Sequence, residues 1–327
     1  MRKLLNWGLL GVAAAAITVS VIGVQAKADT TLDKDLKEYK PVAGISGNLV
    51  SVGSDTLNNL MTFWTEGYRK HYPNVTFSVE GKGSTTAPPA LTDGQSDLGP
   101  MSREMKTEEI NAFEKKWGYK PSRVAVAIDA LAVFVHKDNP VKSLTMPQVD
   151  AIFSSTRKGK YKEDVTKWGQ VGLEGDWANQ NITLYGRNSA SGTYGYFKEH
   201  ALFKGDFKPA VKEQPGSSTV VQLIGEDRSG AGYSGIGYAT AGVRAVPLAK
   251  AEGDTAYEAT AENCYNGKYP LSRYLYVYFN RAPGKEANAA VREFFAFIHS
   301  KEGQEIVLKD GFIPLTSKVV EKNSSYK

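Results

Sequence analysis

Three turns rich in Gly, Ser and Thr contain residue types that could bind an anion. They are Gly53-Ser54-Asp55-Thr56, Gly81-Lys82-Gly83-Ser84-Thr85-Thr86 and Gly186-Arg187-Asn188-Ser189-Ala190-Ser191-Gly192-Thr193. Hydroxyl and backbone N–H groups donate hydrogen bonds to oxyanions, and glycine lets the backbone approach a ligand closely. Arg187 adds a planar fork of donors that suits the oxygens of phosphate. These residue types therefore predict the capture of an oxyanion.

Each turn lies where a strand-like segment passes into a helix-like one. The strand-like segments are residues 48–52, 75–79 and 182–185. The first turn of a helix leaves backbone N–H groups unpaired and carries a partial positive charge, so it attracts anions. Ser and Thr are also common N-caps, which is the competing interpretation of any single turn. The anion-site hypothesis therefore depends on all three turns together.

The alternation of strand-like and helix-like segments from residue 48 onward predicts an α/β fold. A motif like a capping box opens a helix predicted over Met146–Phe153, and the last long helix is predicted over residues 286–298. We interpret residues 29–47 as a loose leader. We interpret the glycine-rich residues 230–238 as a tight turn that leads into a strand.

Residues 1–28 have the pattern of a secretory signal peptide. The segment begins with two basic residues, continues with an apolar run over residues 4–24 and ends in Ala26-Lys27-Ala28. This order predicts cleavage before Asp29 and export to the periplasm. A retained membrane anchor is the alternative, because the apolar run approaches spanning length, but its Gly and Ala content and the small residues at its end favour cleavage.

Composition narrows the function classes. Removal of 28 residues from 327 leaves enough chain for two domains, and it lowers the net charge from +5 to about +2. So small a charge argues against a nucleic-acid partner. Cys264 is the single cysteine, so neither an internal disulfide nor a thiolate metal cluster can form. The four histidines lack ligand spacing, and we expect neither a metal nor a cofactor.

The order and spacing of the motifs resemble the phosphate-binding protein of the bacterial high-affinity phosphate ABC importer. The resemblance is carried by Arg187-x-x-x-Ser191-Gly192-Thr193, with Gly83-Ser84 upstream and Gly235-Ile236-Gly237-Tyr238 downstream. It covers most of the chain after the signal peptide. The resemblance implies that one lobe binds phosphate through Arg187, Ser191, Gly192 and Thr193. It implies that the other lobe does so through Ser84 and the turn Ser54-Asp55-Thr56.

The same resemblance implies a two-lobe periplasmic binding protein of the type II kind, in which each lobe is a sheet flanked by helices. Two extended crossovers form the hinge, and the apolar residues 124–135 and 274–279 suit them. Lobe I would comprise residues 29–131 and 277–327, and lobe II residues 132–276. Such a protein is a monomer that closes on inorganic phosphate and delivers it to ABC permease subunits in the inner membrane.

Two departures from the enteric members of this family concern carboxylates. Those members carry Asp at the position of Ser102, and another two residues after the motif arginine, where this chain has Ser189. Phosphate near neutral pH keeps a proton that a buried carboxylate can accept, whereas sulfate has none to offer. Asp55 is our candidate acceptor, and the alternative is that it caps the helix that starts near Thr56. Without an Asp at 189, we expect Arg187 to be less tightly held before ligand arrives than in those members.

Other ligands and another class stay open at this point. Sulfate, molybdate or tungstate could occupy a similar site, and a secreted phosphate-ester hydrolase could use Ser84 or Ser191 as a nucleophile. No Gly-x-Ser-x-Gly elbow, histidine triad order or carboxylate cluster favours the hydrolase. Gly81-x-Gly83 lacks the third glycine of a dinucleotide fingerprint, and no P-loop is present. We therefore expect a binding protein and not an enzyme.

Overall fold

The computed structural model describes residues 31–324 and 326. The predicted signal peptide, residues 1–28, lies outside the described residues. Within them, none of the helices combines the length and the apolar character that a membrane crossing requires.

The strands and helices alternate along the chain. The strands are β1 (Gly47–Val52), β2 (Val75–Glu80), β3 (Gly99–Met101), β4 (Ser122–His136), β5 (Leu144–Thr145), β6 (Thr183–Arg187), β7 (Lys212–Gln214), β8 (Gly230–Gly235), β9 (Val243–Ala245), β10 (Leu248–Ala249) and β11 (Ser272–Phe279). The α-helices are α1 (Asn58–His71), α2 (Ala87–Thr92), α3 (Thr107–Trp117), α4 (Met146–Phe153), α5 (Gly192–His200), α6 (Ser217–Glu226), α7 (Ala261–Tyr265), α8 (Ala289–Ile298), α9 (Lys301–Lys309) and α10 (Ser317–Lys322). Short 3₁₀ helices cover Asp55–Leu57, Ser84–Thr86, Trp168–Val171, Gly175–Trp177 and Ile236–Tyr238.

A seven-stranded sheet runs through the molecule in the order β3-β11-β4-β8-β6-β7, with β9 also paired to β4. The long strand β4 pairs antiparallel with β11 along Ser122–Ala130 and with β8 along Leu131–Val135. Its residues 124–135 are all buried, which explains why all of them except Asp129 are apolar. The two segments predicted as crossovers are therefore strands, and they pair with each other.

Two main hydrophobic cores lie along this sheet. We call the cluster built on α1 and α8, with Trp64 and Phe294, the first core. The second core contains α4 and α5, with Phe153 and Phe197. Along β4 the first core ends at Ala127 and the second begins at the next residue. The exact lobe boundaries, residues 29–131 with 277–327 and residues 132–276, stay a prediction.

Most predicted elements are present with small shifts at their ends. The three strand-to-helix turns are confirmed, since β1, β2 and β6 each lead through a short turn into α1, α2 and α5. Helix α4 covers the predicted residues and has both capping-box hydrogen bonds, between Thr145 and Gln148. The predicted helix 286–298 begins later, at Ala289, because the side chain of Asn288 accepts a hydrogen bond from the Ala290 N–H and caps it there.

Two local predictions were wrong. Residues 230–235 are not a turn but the buried strand β8 itself, and a 3₁₀ helix follows. Glycine is required there because a Cβ at Gly232 would lie 2.6 Å from the carbonyl oxygen of Tyr185 on the neighbouring strand. The described part of the leader is not loose either. Leu36 is buried, and the Asp33 carboxylate accepts hydrogen bonds from the N–H and the hydroxyl of Ser317.

Candidate anion-binding site

The site is built from turns that follow six strands, at the ends where parallel α/β sheets bind ligands. We call the turns after β1, β2 and β3 the first face, and the turns after β6, β7 and β8 the second face. Backbone hydrogen bonds fix the first face, because the Gly83 N–H donates to the Gly53 carbonyl and the Ser54 N–H to the Pro100 carbonyl. A Cβ at Gly53 would lie 2.2 Å from the Pro100 oxygen, so only glycine fits there.

Three serines of the first face share one hydrogen-bond cluster. The hydroxyl of Ser54 donates to the Ser102 hydroxyl at 3.0 Å, and the Ser84 and Ser102 hydroxyls are 3.2 Å apart. The Ser102 N–H donates to the Ser84 oxygen at 3.0 Å. All three side chains are buried. The first face therefore gathers hydroxyls from three separate segments at one point.

The second face contributes the motif arginine and the N-terminus of α5. The Arg187 side chain is only 1% exposed, and it donates to the Ser217 hydroxyl and to the Pro215 carbonyl oxygen at 2.8 Å. Ser191 is the N-cap of α5, and its oxygen accepts from the backbone N–H groups of Thr193 and Tyr194. Burial lowers the pKa of Arg187, and the neighbouring Asp55 carboxylate opposes this shift.

The two faces touch each other directly. The hydroxyls of Thr56 and Thr193 are 2.9 Å apart. The Asp55 carboxylate lies 3.0 Å from the Arg187 guanidinium, and it also accepts from the N–H and hydroxyl of Ser217 at 2.9 Å each. A Cβ at Gly192 would lie 2.3 Å from the Ser84 oxygen, so α5 begins against the first face. The structure therefore brings all the predicted site residues together.

One alternative for the charged pair was wrong, and one expectation stays a prediction. Asp55, Ser217 and Pro215 all contact the Arg187 guanidinium, and how tightly it is held before ligand arrives stays a prediction. The side chain of Asp55 does not cap its own helix, because it reaches across to the second face instead. Ser54 precedes that 3₁₀ helix and makes no side-chain cap there. The missing Asp at 189 is thus replaced by a carboxylate from the other face.

N–H donors of the protein already bind the oxygens of three site hydroxyls. The Ser84 oxygen accepts from the Ser102 N–H, the Ser191 oxygen from N–H groups at the start of α5, and the Thr193 oxygen from the guanidinium of Arg273. Each of these bonds uses an acceptor position and leaves the hydroxyl proton available to donate. Among the predicted site residues only Asp55 is a carboxylate, and hydrogen bonds in the described part of the chain use its Oδ2 and not its Oδ1.

Sequence reasoning missed four residues around the site. Arg273 and Asp129 form a buried ion pair behind Thr193, and the Tyr238 hydroxyl donates to the backbone carbonyls of Asp55 and Thr56. Asp129 was detectable, since a lone acid within the apolar run 124–135 requires a buried partner. Tyr238 belongs to a quoted motif, but its segment was interpreted as a turn into a strand. Ser217, the fourth, carries no signal in the sequence.

The polar groups of the site suit the binding of an anion. They do not suit the binding of a cation or catalysis by a serine nucleophile. Its polar atoms are mainly N–H and O–H donors, and the described residues contain no group of three or more His, Cys, Asp or Glu placed to hold a metal. In the described part of the chain, the Ser84 hydroxyl bonds to Ser102 and the Ser191 hydroxyl to backbone N–H groups. Neither serine therefore has the neighbouring base that a nucleophile requires.

Comparison with known sequences gives strong matches along most of the chain. The model of a PBP superfamily domain matches residues 38–302. The chain is 58% identical over 309 residues to the phosphate-binding protein PstS of Pseudomonas aeruginosa, which covers 94% of this chain and 96% of that protein. It is 30% identical over 270 residues to protein SphX of Synechococcus elongatus, over 81% of this chain and 77% of that protein.

Solved structures give the same result. A phosphate ABC transporter substrate-binding protein with bound phosphate from Clostridium perfringens superposes with a TM-score of 0.69 at 27% identity, over 83% of this chain and 100% of that one. An ABC-type phosphate transport receptor from Vibrio cholerae superposes with a TM-score of 0.62 at 25% identity, over 82% of this chain and 100% of that one. The α/β fold of a periplasmic binding protein, a sheet flanked by helices, is thereby confirmed.

Replacing Gly192 by Ala should abolish anion binding. The added methyl group would lie 2.3 Å from the Ser84 oxygen and 2.6 Å from the Ser102 oxygen, so the two faces could not meet. We expect calorimetric titration with inorganic phosphate to show at least a hundredfold loss of affinity. Gly195→Ala in the same helix is the matched control, because its methyl group would meet only the Arg103 side chain, at 3.3 Å, and neither serine of the first face. An equal loss in both variants would contradict the contact of the two faces.

Proposed function

The chain belongs to the PBP superfamily and to the family of PstS phosphate-binding proteins, and from this membership we propose that it binds inorganic phosphate for an ABC transporter. Like its relatives, it is a binding protein of a transport system and not an enzyme. The observation that carries the proposal is the convergence of donors from two opposed faces on one buried point, with Arg187 on the second face. A dianion is the ligand that such a set of donors would hold.

The energetics of the site favour an anion held by many hydrogen bonds. Stripping water from an ion is costly unless it is replaced by partners. Each hydrogen bond to a charged group contributes about 1.5–3 kcal/mol, so several donors acting together could offset that cost. The buried hydroxyls of Ser54, Thr56, Ser84, Ser102 and Thr193, with the Arg187 guanidinium, supply such a number. The Gly192 N–H at the start of α5 adds a helix N-terminus.

We propose that Asp55 accepts the phosphate proton. Its Oδ2 is held by Ser217 and Arg187, which leaves Oδ1 as the carboxylate oxygen able to accept from a P–OH group. The hydroxyls of Ser84, Ser191 and Thr193 are held as donors, so they suit the unprotonated oxygens. Sulfate, which has no proton near neutral pH, would meet an unprotonated carboxylate oxygen and be repelled.

The Asp55→Asn substitution should relax the preference for phosphate over sulfate. An amide keeps the shape of the side chain and removes the negative charge that opposes an unprotonated oxyanion. We expect calorimetric titration near neutral pH to show sulfate binding in the variant and none in the parent protein. Thr85→Ser, which keeps its hydroxyl beside the Ala190 carbonyl, is the control for changes at the same edge of the site. A selectivity ratio equal to that of the parent would move the acceptor role to another residue.

The Arg187→Ala substitution should weaken phosphate binding by several kcal/mol, about 1.5–3 kcal/mol for each hydrogen bond to the charged anion that is lost. Arg187→Lys should weaken it less, because the charge stays while the two-pronged geometry is lost. Arg292→Ala, which removes an arginine of α8 paired with the exposed Glu286, is the matched control and should leave affinity unchanged. Cooperative thermal unfolding of each variant would show that the fold is intact. Unchanged affinity in Arg187→Ala would exclude this residue from the site.

We further propose that phosphate acts by stabilising a closed arrangement of two lobes, divided as residues 29–131 with 277–327 and residues 132–276. A ligand shifts such an equilibrium only by its differential affinity for the two states, and donors on both faces provide that difference. The closed form would then be recognised by permease subunits in the inner membrane. The periplasmic location follows from the PstS relatives, and we propose a cleaved signal peptide over residues 1–28, a monomeric state and no nucleic-acid partner.

Small-angle scattering tests the closure. Saturating phosphate should lower the radius of gyration of the ligand-stripped protein, because the ligand bridges the two faces. The Gly192→Ala variant is the control, since its faces could not meet and its radius of gyration should not respond. A parent protein that binds phosphate by calorimetry without any compaction would contradict the closure mechanism and leave the binding function in place.

A further inference from the structure

Arg273 on β11 connects the hinge strands to both faces of the site. Its guanidinium donates to the Asp129 carboxylate of β4 at 3.1 and 2.8 Å, to the Ser102 carbonyl at 2.6 Å and to the Thr193 hydroxyl at 2.8 Å. The side chain is 2% exposed, and the ring of Tyr196 lies 5.1 Å from its Cζ. The guanidinium is thus fixed in place by contacts from three other segments of the chain, which are β4, the turn after β3 and α5.

The Asp129 carboxylate is the anchor of this arrangement. It is fully buried, and its second oxygen accepts from the backbone N–H of Ile236 at 3.1 Å. A buried charge without a partner is strongly unfavourable, so Asp129 and Arg273 hold each other. Because the guanidinium is planar and rigid, fixing its Nε and Nη2 groups on one oxygen of Asp129 also aims its remaining N–H groups. One of those groups points at Thr193.

The hydrogen bond from Arg273 determines what the Thr193 hydroxyl can do. Its oxygen accepts from a cation, so its single proton is left to donate. The nearest described hydroxyl in that direction is Thr56, 2.9 Å away on the first face. A hydroxyl free to rotate could instead present a lone pair to the ligand, which would repel an unprotonated oxygen. The guanidinium occupies one acceptor position of the Thr193 oxygen, which favours the orientation in which the hydroxyl donates to the ligand.

We propose that Arg273 is a positioning residue for the anion, which fixes the Thr193 hydroxyl as a donor without contacting the ligand itself. The proposal rests on the proposed function, since it assumes that Thr193 donates to phosphate. It assigns Arg273 a role in affinity that acts through one atom, the Thr193 oxygen. A role limited to packing or to overall charge would act on the site whatever residue stood at 193.

A double-mutant cycle on phosphate affinity separates these roles. Arg273→Lys keeps the charge and loses the planar fork, and we expect about a tenfold loss of affinity by calorimetry in the parent protein. The same loss should appear in a Thr193→Ser background, which keeps a hydroxyl to orient. In a Thr193→Val background the loss should fall to about twofold or less, because no hydroxyl remains. Equal losses in all three backgrounds would overturn the proposal.

Two further arms keep the result interpretable. Arg123→Lys changes an arginine of β4 that lies over the Tyr276 ring, away from Thr193, and should leave phosphate affinity unchanged. If Arg273→Lys does not fold, Asp129→Asn takes its place in the cycle, since it weakens the hold on the guanidinium and carries the same expectations. A parent protein that binds no phosphate would overturn the proposed function and this proposal together. Tight binding with losses independent of residue 193 would overturn only the role of Arg273.

Discussion

The ion pair between Arg187 and Asp55 is the interaction on which the site depends. The guanidinium is almost fully buried, and a buried charge is tolerated only when it is paired and hydrogen-bonded. Its charged partner comes from the opposite face, so the guanidinium has that partner only when the two faces are together. The carboxylate is in turn held by Ser217 at the start of α6. The position of the Arg187 guanidinium therefore depends on contact between the two faces.

The charged groups nearest the site nearly cancel. Arg187 and Arg273 are each paired with an acid, Asp55 and Asp129, so the four side chains together carry no net charge. A dianion in such a place is held by local donors and not by an excess of positive charge. Under our proposal, selection between oxyanions then depends on whether the ligand carries a proton that Asp55 can accept, while the hydroxyls of Ser84, Ser191 and Thr193 donate to unprotonated oxygens. This explains how a protein with a small net charge could bind an anion strongly.

The sequence predicts those features of the fold and the site that depend on residues close together in the chain. Strand periodicity, glycine-rich turns and N-caps operate within a few residues, so the three anion turns and α4 follow from the chain directly. The pairing of Arg273 with Asp129 joins residues 144 positions apart, and only the tertiary fold brings them together. The glycine-rich β8 was mistaken for a turn because its glycines reflect close packing against Tyr185. The directions of the hydroxyls are equally tertiary, since each is set by a donor from another segment.

The buried pair of Arg273 and Asp129 also constrains where the molecule can bend. Asp129 lies on β4 one residue after the point where the second core begins. The strands β4 and β11 therefore hold this ion pair at the junction of the first and second cores. Breaking a buried ion pair costs about 3–5 kcal/mol, so a closing motion that preserves it is favoured. The β4–β11 ladder is irregular between Leu275 and Tyr276, two residues beyond Arg273. Because such irregularities bend strands, we expect the proposed closure to bend β11 there while the guanidinium keeps its hydrogen bond to Thr193.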